Sequence, residues 1–192
     1  MLKQERQTYL ICAGKGNNGG DGFVIARHLQ SGGARVRILL FADPARLSGD
    51  ALTNYEICKA ADIPIETFAA DQFEPLDLAA IREHLRRADC VIDALLGTGA
   101  RGEVREPFAT LIPIINESAR QIVAIDLPSG LDCDRGEPCG ATVKANQTVT
   151  FVALKAGFAN RESERYTGQV SVLPIGISSK QYAELVASVE AS

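Results

Sequence analysis

Short apolar runs alternate along the chain with longer segments in which apolar positions recur every three or four residues. The runs predict strands at Thr8 to Ala13, Arg35 to Phe41, Cys90 to Leu96, Ile122 to Leu127, Gln147 to Leu154 and Gln169 to Ile177, with a weaker strand over Pro64 to Phe68. The amphipathic segments predict helices at Asp21 to Gln30, stopped by Ser31, Gly32 and Gly33, and at Leu52 to Ala61 and Leu76 to Arg87. Pro107 starts another at a favoured first-turn position, and Lys180 to Val189 forms a closing helix. The runs at Cys90 to Leu96 and Ile122 to Leu127 read as central strands buried on both faces. Strands separated by helices in this order predict an α/β fold, a mainly parallel sheet wrapped by helices.

Length and composition narrow the picture. The 192 residues, 46% of them hydrophobic, suit one domain with a sizeable core, expected to span the chain from 1 to 192. A formal net charge of -4, with no basic run carrying interleaved aromatics, argues against nucleic acid as a partner. Met1 to Thr8 lacks the apolar core of a signal peptide, and no apolar run is long enough to span a bilayer, so no membrane association is expected. Five cysteines, Cys12, Cys58, Cys90, Cys133 and Cys139, form no CxxC pair and point to a reducing, cytoplasmic compartment.

Candidate chemistry lies in three turns, each following a predicted strand at its carboxyl end, the edge where open α/β sheets bind ligands. They are Gly14 to Gly22, Asp93 to Glu103 and Asp126 to Gly130. Glycines in the first would let the backbone approach a ligand, and the following helix would offer free N–H groups to a pyrophosphate. Gly14-x-Gly16-x-x-Gly19 also matches the dinucleotide fingerprint of redox and methyl-transfer enzymes, with Asp43 where a ribose-binding acid is expected. Against that rival, Asp21 is expected in the first helical turn, where its charge opposes a phosphate. A turn of this composition is also consistent with a purely structural role.

Gly16-Asn17-Asn18-Gly19-Gly20-Asp21-Gly22, continuing to Ala26-Arg27-His28-Leu29, resembles the signature loop of the YjeF N-terminal domain family, whose members include NAD(P)H-hydrate epimerases. Val91-Ile92-Asp93-Ala94, Gly97-Thr98-Gly99, Arg105-Glu106-Pro107-Phe108, Ile125-Asp126-Leu127-Pro128-Ser129-Gly130 and Thr148-Val149-Thr150-Phe151 follow in the family's order. The family more often has aspartate near Asn146, and Lys155-Ala156-Gly157 is close to its usual lysine, proline, glycine order. Members usually carry a helical segment before the first strand, which implies that the segment is shortened here to Met1 to Gln7.

The resemblance implies a three-layer α/β/α Rossmann-like fold, an isomerase interconverting the R and S epimers of NADHX or NADPHX, a bound K+, a homodimer, and a separate ADP- or ATP-dependent dehydratase as pathway partner. It assigns the dinucleotide to Asn17, Asn18, Gly19, Gly20, Asp21, Gly97, Thr98, Gly99, Ala100, Arg101, Gly102, Glu103 and Asp126, and potassium to Asn18, Asp93 and Ser129. An amide, a carboxylate and a hydroxyl are the oxygen donors a hard cation takes. Each residue also has a structural reading. Asn18 can adopt a left-handed turn, Asp93 and Ser129 can cap turns, and Asp126 can bind loop N–H groups.

The chemistry implied is simple. Hydration leaves one ring carbon bonded to both a hydroxyl and the ring nitrogen, whose lone pair assists departure of the oxygen before water returns to either face. Proton management is then the main task, and Asp126, partly buried at a strand end, is the expected acid/base. His28 and His84 fall within predicted helices away from that edge, and Arg101 and Arg105 are expected either to offset phosphate charge or to be solvated. A scaffold or nucleotide-binding module of the same fold, without catalysis, is the alternative.

Overall fold

The computed structural model describes residues 7–69 and 72–176. The strands are β1 (Thr8–Ala13), β2 (Arg35–Leu40), β3 (Ile65–Thr67), β4 (Cys90–Ala94), β5 (Ile122–Ile125), β6 (Gln147–Phe151) and β7 (Gln169–Leu173). They form one sheet of order β3-β2-β1-β4-β5-β6-β7, in which every pairing is parallel. The principal helices are α1 (Asn17–Ser31), α2 (Gly49–Ala60), α3 (Pro75–Arg87) and α4 (Phe108–Ser118), followed by the single turn α5 (Glu164–Thr167). The closing helix expected at Lys180 to Val189 lies outside the described residues. Among those residues, no helix is long and apolar enough to cross a membrane.

Side-chain alternation along each strand creates two cores. Leu10, Cys12, Leu39, Val91, Ile122 and Ala124 pack with Ile81 and Leu85 of α3 and Leu111 and Ile115 of α4. Ile11, Ala13, Ile38, Leu40, Ile92 and Ile125 pack with Phe23 and Ala26 of α1 and Tyr55 and Cys58 of α2. The α/β expectation therefore holds as two helical layers about a sheet. β4 is buried at all five positions, as its apolar sequence requires.

Strand order places the site. From β1 the chain winds outward through β2 and β3, then returns to β4 on the other side of β1. The loops after β1 and β4 therefore diverge and leave a crevice at their carboxyl ends.

Several expected boundaries move, for local reasons. Helix α1 begins at Asn17 rather than Asp21, so Asp21 lies beyond the first turn, which holds no acidic residue. The repulsion expected between Asp21 and a phosphate at the helix start is withdrawn with it. The glycines of this segment serve packing more than ligand approach. A Cβ on Gly22 would stand 2.8 Å from the Ala94 side chain, one on Gly20 would stand 3.2 Å from Ala51 of α2, and one on Gly19 would collide with the Gly14 carbonyl.

β5 and β6 end earlier than their apolar runs, each at a residue with positive φ, Asp126 at 65° and Val152 at 68°. In both places the next N–H returns to the carbonyl two residues back, Leu127 to Ile125 and Ala153 to Phe151, each at 2.8 Å. Such three-residue turns with positive φ are rare and strained, and a β-branched valine there is an outlier.

Candidate active site

A cavity of about 690 Å³ opens at the carboxyl edge of the sheet. It is lined from the loops after five successive strands: Lys15 to Asn18 and Asp21 after β1, Phe41 to Asp43 and Arg46 after β2, Phe68 and Ala69 after β3, Leu95 to Ala100 after β4, and Asp126 after β5. Glu106, Pro107 and Phe108 close the side next to α4. Asn17, Asn18, Asp21, Gly97, Thr98, Gly99, Ala100 and Asp126 thus come together as the sequence suggests.

The other assigned positions divide into two groups. Gly19, Gly20, Asp93 and Ser129 are buried beneath the cavity wall. Arg101, Gly102 and Glu103 do not line the cavity, and Arg101 is exposed and bonds Asp134 at 3.0 Å. Its guanidinium is therefore engaged on the surface rather than aimed at a ligand. His84 pairs with Glu66 at 2.8 Å and His28 stays on α1, both remote from the cavity lining.

Beneath the floor, Asp93 is wholly buried at the end of β4. The Ser129 N–H donates to its Oδ2 at 2.8 Å, the Ser129 hydroxyl donates to Oδ1 at 2.6 Å, and the Leu95 N–H reaches Oδ1 at 3.3 Å. These hydrogen bonds favour the charge, but burial outweighs them and pushes the Asp93 carboxyl up to about 6. Burial, and then the charge of Asp93, also push the Cys12 thiol upward.

Ser129 Oγ accepts from the Leu96 N–H at 2.9 Å, and Asn18 Nδ2 donates to the Leu96 carbonyl at 3.0 Å. Leu96 therefore joins Asn18 to Ser129, and Ser129 in turn holds Asp93. Among the described residues, Asn18 Oδ1 has no hydrogen-bond partner and Asp93 has no cationic partner. A buried carboxylate without a counter-charge, bonded to a hydroxyl and linked through Leu96 to an amide with an open oxygen, supplies oxygen donors of the kind a hard cation takes.

Asp126 leaves β5 through the strained turn and half-faces the cavity. Thr150 Oγ1 at 3.0 Å, the Phe151 N–H at 3.2 Å and Lys155 Nζ at 2.6 Å all donate to its Oδ1. Lys155 is the residue that sequence reasoning missed. Its only signal was its place in the Lys155-Ala156-Gly157 stretch, and the contact depends on a strand-end turn that no periodicity announces. Asp21, across from Asp126, is raised above its ordinary value by burial and then by the Asp126 charge.

A family model described as YjeF-related protein N-terminus matches residues 1–157. An NAD(P)H-hydrate epimerase of Pirellula staleyi is 44% identical over 168 residues, 88% of this chain and 72% of that protein. A bifunctional NAD(P)H-hydrate repair enzyme, Nnr, of Coxiella burnetii is 40% identical over 91% of this chain but only 33% of its own length. The chain thus spans about a third of such bifunctional relatives. The crystal structure of yeast ynu0 superposes with a TM-score of 0.72 at 23% identity, covering 93% of this chain and 70% of that one, which establishes the shared fold.

Burial of Asp93 has a signature in pH. In potassium-free buffer the folded protein holds this proton to about pH 6 while the unfolded chain releases it near 3.8, so the contribution to stability is full below 3.8 and lost as pH rises through 6. Denaturant unfolding across that window should show the loss in wild type and not in Asp93→Asn. Parallel pH profiles for the two proteins would contradict a charged, buried Asp93.

Proposed function

Since the chain belongs to the family of YjeF-related N-terminal proteins, we propose that it is an NAD(P)H-hydrate epimerase, an isomerase that interconverts the R and S epimers of hydrated NADH and NADPH in metabolite repair. The observation that carries this reading is the cavity that brings Asn17, Asn18, Asp21 and Gly97 to Ala100 together with Asp126, the carboxylate at the end of β5. A dinucleotide hydrate requires a cavity at the sheet edge and a proton-moving group, and Asp126 lines such a cavity. Asn17, Asn18, Asp21 and the Gly97 to Ala100 loop hold the ligand. Gly19, Gly20, Arg101, Gly102 and Glu103 act as the frame on which those contacts are carried. Asp126 protonates the departing hydroxyl and takes the proton back from the water that adds to the other face.

The cation site is part of the same proposal, with Asn18, Asp93 and Ser129 as its ligands. Bound K+ would neutralise the buried Asp93 charge and so fix the loops after β1, β4 and β5 around the cavity. A hydrate dehydratase is the functional partner, in keeping with the bifunctional relatives named for hydrate repair. Buried Cys12, Cys58 and Cys90, free in the structure, suit a cytoplasmic setting where nicotinamide dinucleotides are used.

Chromatography of the R and S hydrates with purified protein in potassium buffer should show the two epimers brought to one ratio from either side, with no nucleotide consumed. A ratio unchanged from buffer alone would leave the scaffold reading. Potassium should raise the thermal midpoint of wild type and leave Asp93→Ala unaffected, as binding linkage requires. Equal shifts in both proteins would take Asp93 out of the cation site.

A further inference from the structure

Resting on the epimerase reading, we propose that Lys155 is a positioning residue for Asp126, holding Oδ1 and balancing its charge so that Oδ2 is the oxygen that exchanges a proton with the ligand. All three donors to Asp126, the Thr150 hydroxyl, the Phe151 N–H and the Lys155 ammonium, converge on Oδ1. Among the described residues Oδ2 has no protein partner, and Asp126 lines the cavity whereas Lys155 does not. The ammonium therefore acts through the carboxylate rather than on the ligand.

The contact is built, not incidental. Asp126 is the central residue of the strained turn that ends β5, and Lys155 lies three residues past Val152, the central residue of the turn that ends the adjacent strand β6. Both side chains are largely buried, 18% exposed for Lys155 and 19% for Asp126, so the pair escapes most of the solvent screening that weakens surface ion pairs. The backbone after Lys155 is pinned from the other side. The Gly157 N–H donates to the Cys133 carbonyl at 2.8 Å, and a Cβ at Gly157 would stand 2.8 Å from the carbonyls of both Asp132 and Cys133. Asn160 Nδ2 adds a bond to the Arg135 carbonyl at 3.0 Å, and the Phe158 N–H returns to the Lys155 carbonyl at 3.0 Å.

The electrostatic need is evident from the neighbours. Asp21 faces Asp126, Asp93 lies beneath the same edge, and a dinucleotide brings its own pyrophosphate charge. Lys155 places an ammonium in direct contact with one of these acids, Asp126. Holding Oδ1 leaves the other oxygen with one defined task. In the forward step, which starts with a solvent-derived proton on Oδ2, the ring C–O bond breaks as Oδ2 gives that proton to the departing hydroxyl, releasing water while the ring nitrogen lone pair fills the electron demand and the ammonium balances the carboxylate so formed. In the return step a water oxygen bonds the other face of that carbon and its proton goes back to Oδ2, so no proton is gained or lost.

The test uses the whole chain and compares Lys155→Gln, Lys155→Met and Lys155→Arg, each with and without Asp126→Asn. Glutamine keeps a hydrogen-bond donor without the charge, and its thermal midpoint shows that the protein is folded. Turnover at saturating hydrate should fall about tenfold or more in the Gln and Met variants, with the dissociation constant for NADP⁺ within about twofold of wild type, and Arg should recover most of the turnover. Combined with Asp126→Asn, the lysine substitutions should add little, because the group they serve is already gone. Wild-type turnover in Lys155→Gln, or a further fall of the same size in the Asp126→Asn background, overturns the positioning role while leaving the epimerase reading in place. A wild-type protein that leaves the epimer ratio unchanged removes that reading and this one together.

Discussion

One buried carboxylate organises this molecule. Asp93 sits with no exposure at the end of the central strand, and its two oxygens take the N–H and the hydroxyl of Ser129 and the N–H of Leu95. Those bonds tie the loop after β5 to the loop after β4, and Ser129 then accepts from Leu96, whose carbonyl receives Asn18 from α1. The start of α1 and the loops after β4 and β5 are thereby held as one floor. Leaving such a charge without a cationic partner is unfavourable. The same arrangement that orders the floor therefore leaves a buried charge that the proposed cation would offset.

Above this floor the chemistry depends on how two strands stop. A strand that ended by simple fraying would leave its last side chain pointing into a helical layer. Positive φ at Asp126 and Val152 instead turns the chain within one residue, so that a β5 carboxylate and a lysine just past β6 meet at 2.6 Å. Backbone strain of this kind persists only where the surroundings over-determine it. Here the parallel pairing of β5 with β6 and the pinned loop around Gly157 supply that constraint.

Much of this was legible in the sequence. Apolar runs gave the strands because burial on both faces demands continuous hydrophobicity, and the chemically rich turns followed them because parallel strands all end on one edge. The unbroken Gly16 to Gly22 segment marks the cavity, and the sequence singles out Asn18, Asp93 and Ser129, which the fold links in a chain through Leu96 and Ser129. What stayed hidden depended on tertiary contact. Gly19, Gly20 and Gly22 of that segment are explained by the Gly14 carbonyl, Ala51 and Ala94 pressing on them, which no local pattern reveals. The start of α1 at Asn17 was missed because glycine and asparagine argue against helix, and packing overrode that propensity. Lys155 was undervalued because its partner lies across a strand pair, and Arg101 was overvalued because its exposed partner Asp134 lies in another loop.

The proposed epimerisation rests on Asp126 as the group that moves the proton. Asp126→Asn keeps the shape of the side chain and much of its hydrogen bonding while removing its basicity, so binding and chemistry separate. The decisive measurement is its epimerisation rate at saturating hydrate beside its dissociation constant for NADP⁺. Turnover lower by about 10²-fold or more with nearly unchanged affinity is the predicted result. Near-normal turnover with weakened binding would contradict it and make Asp126 a ligand-holding residue instead.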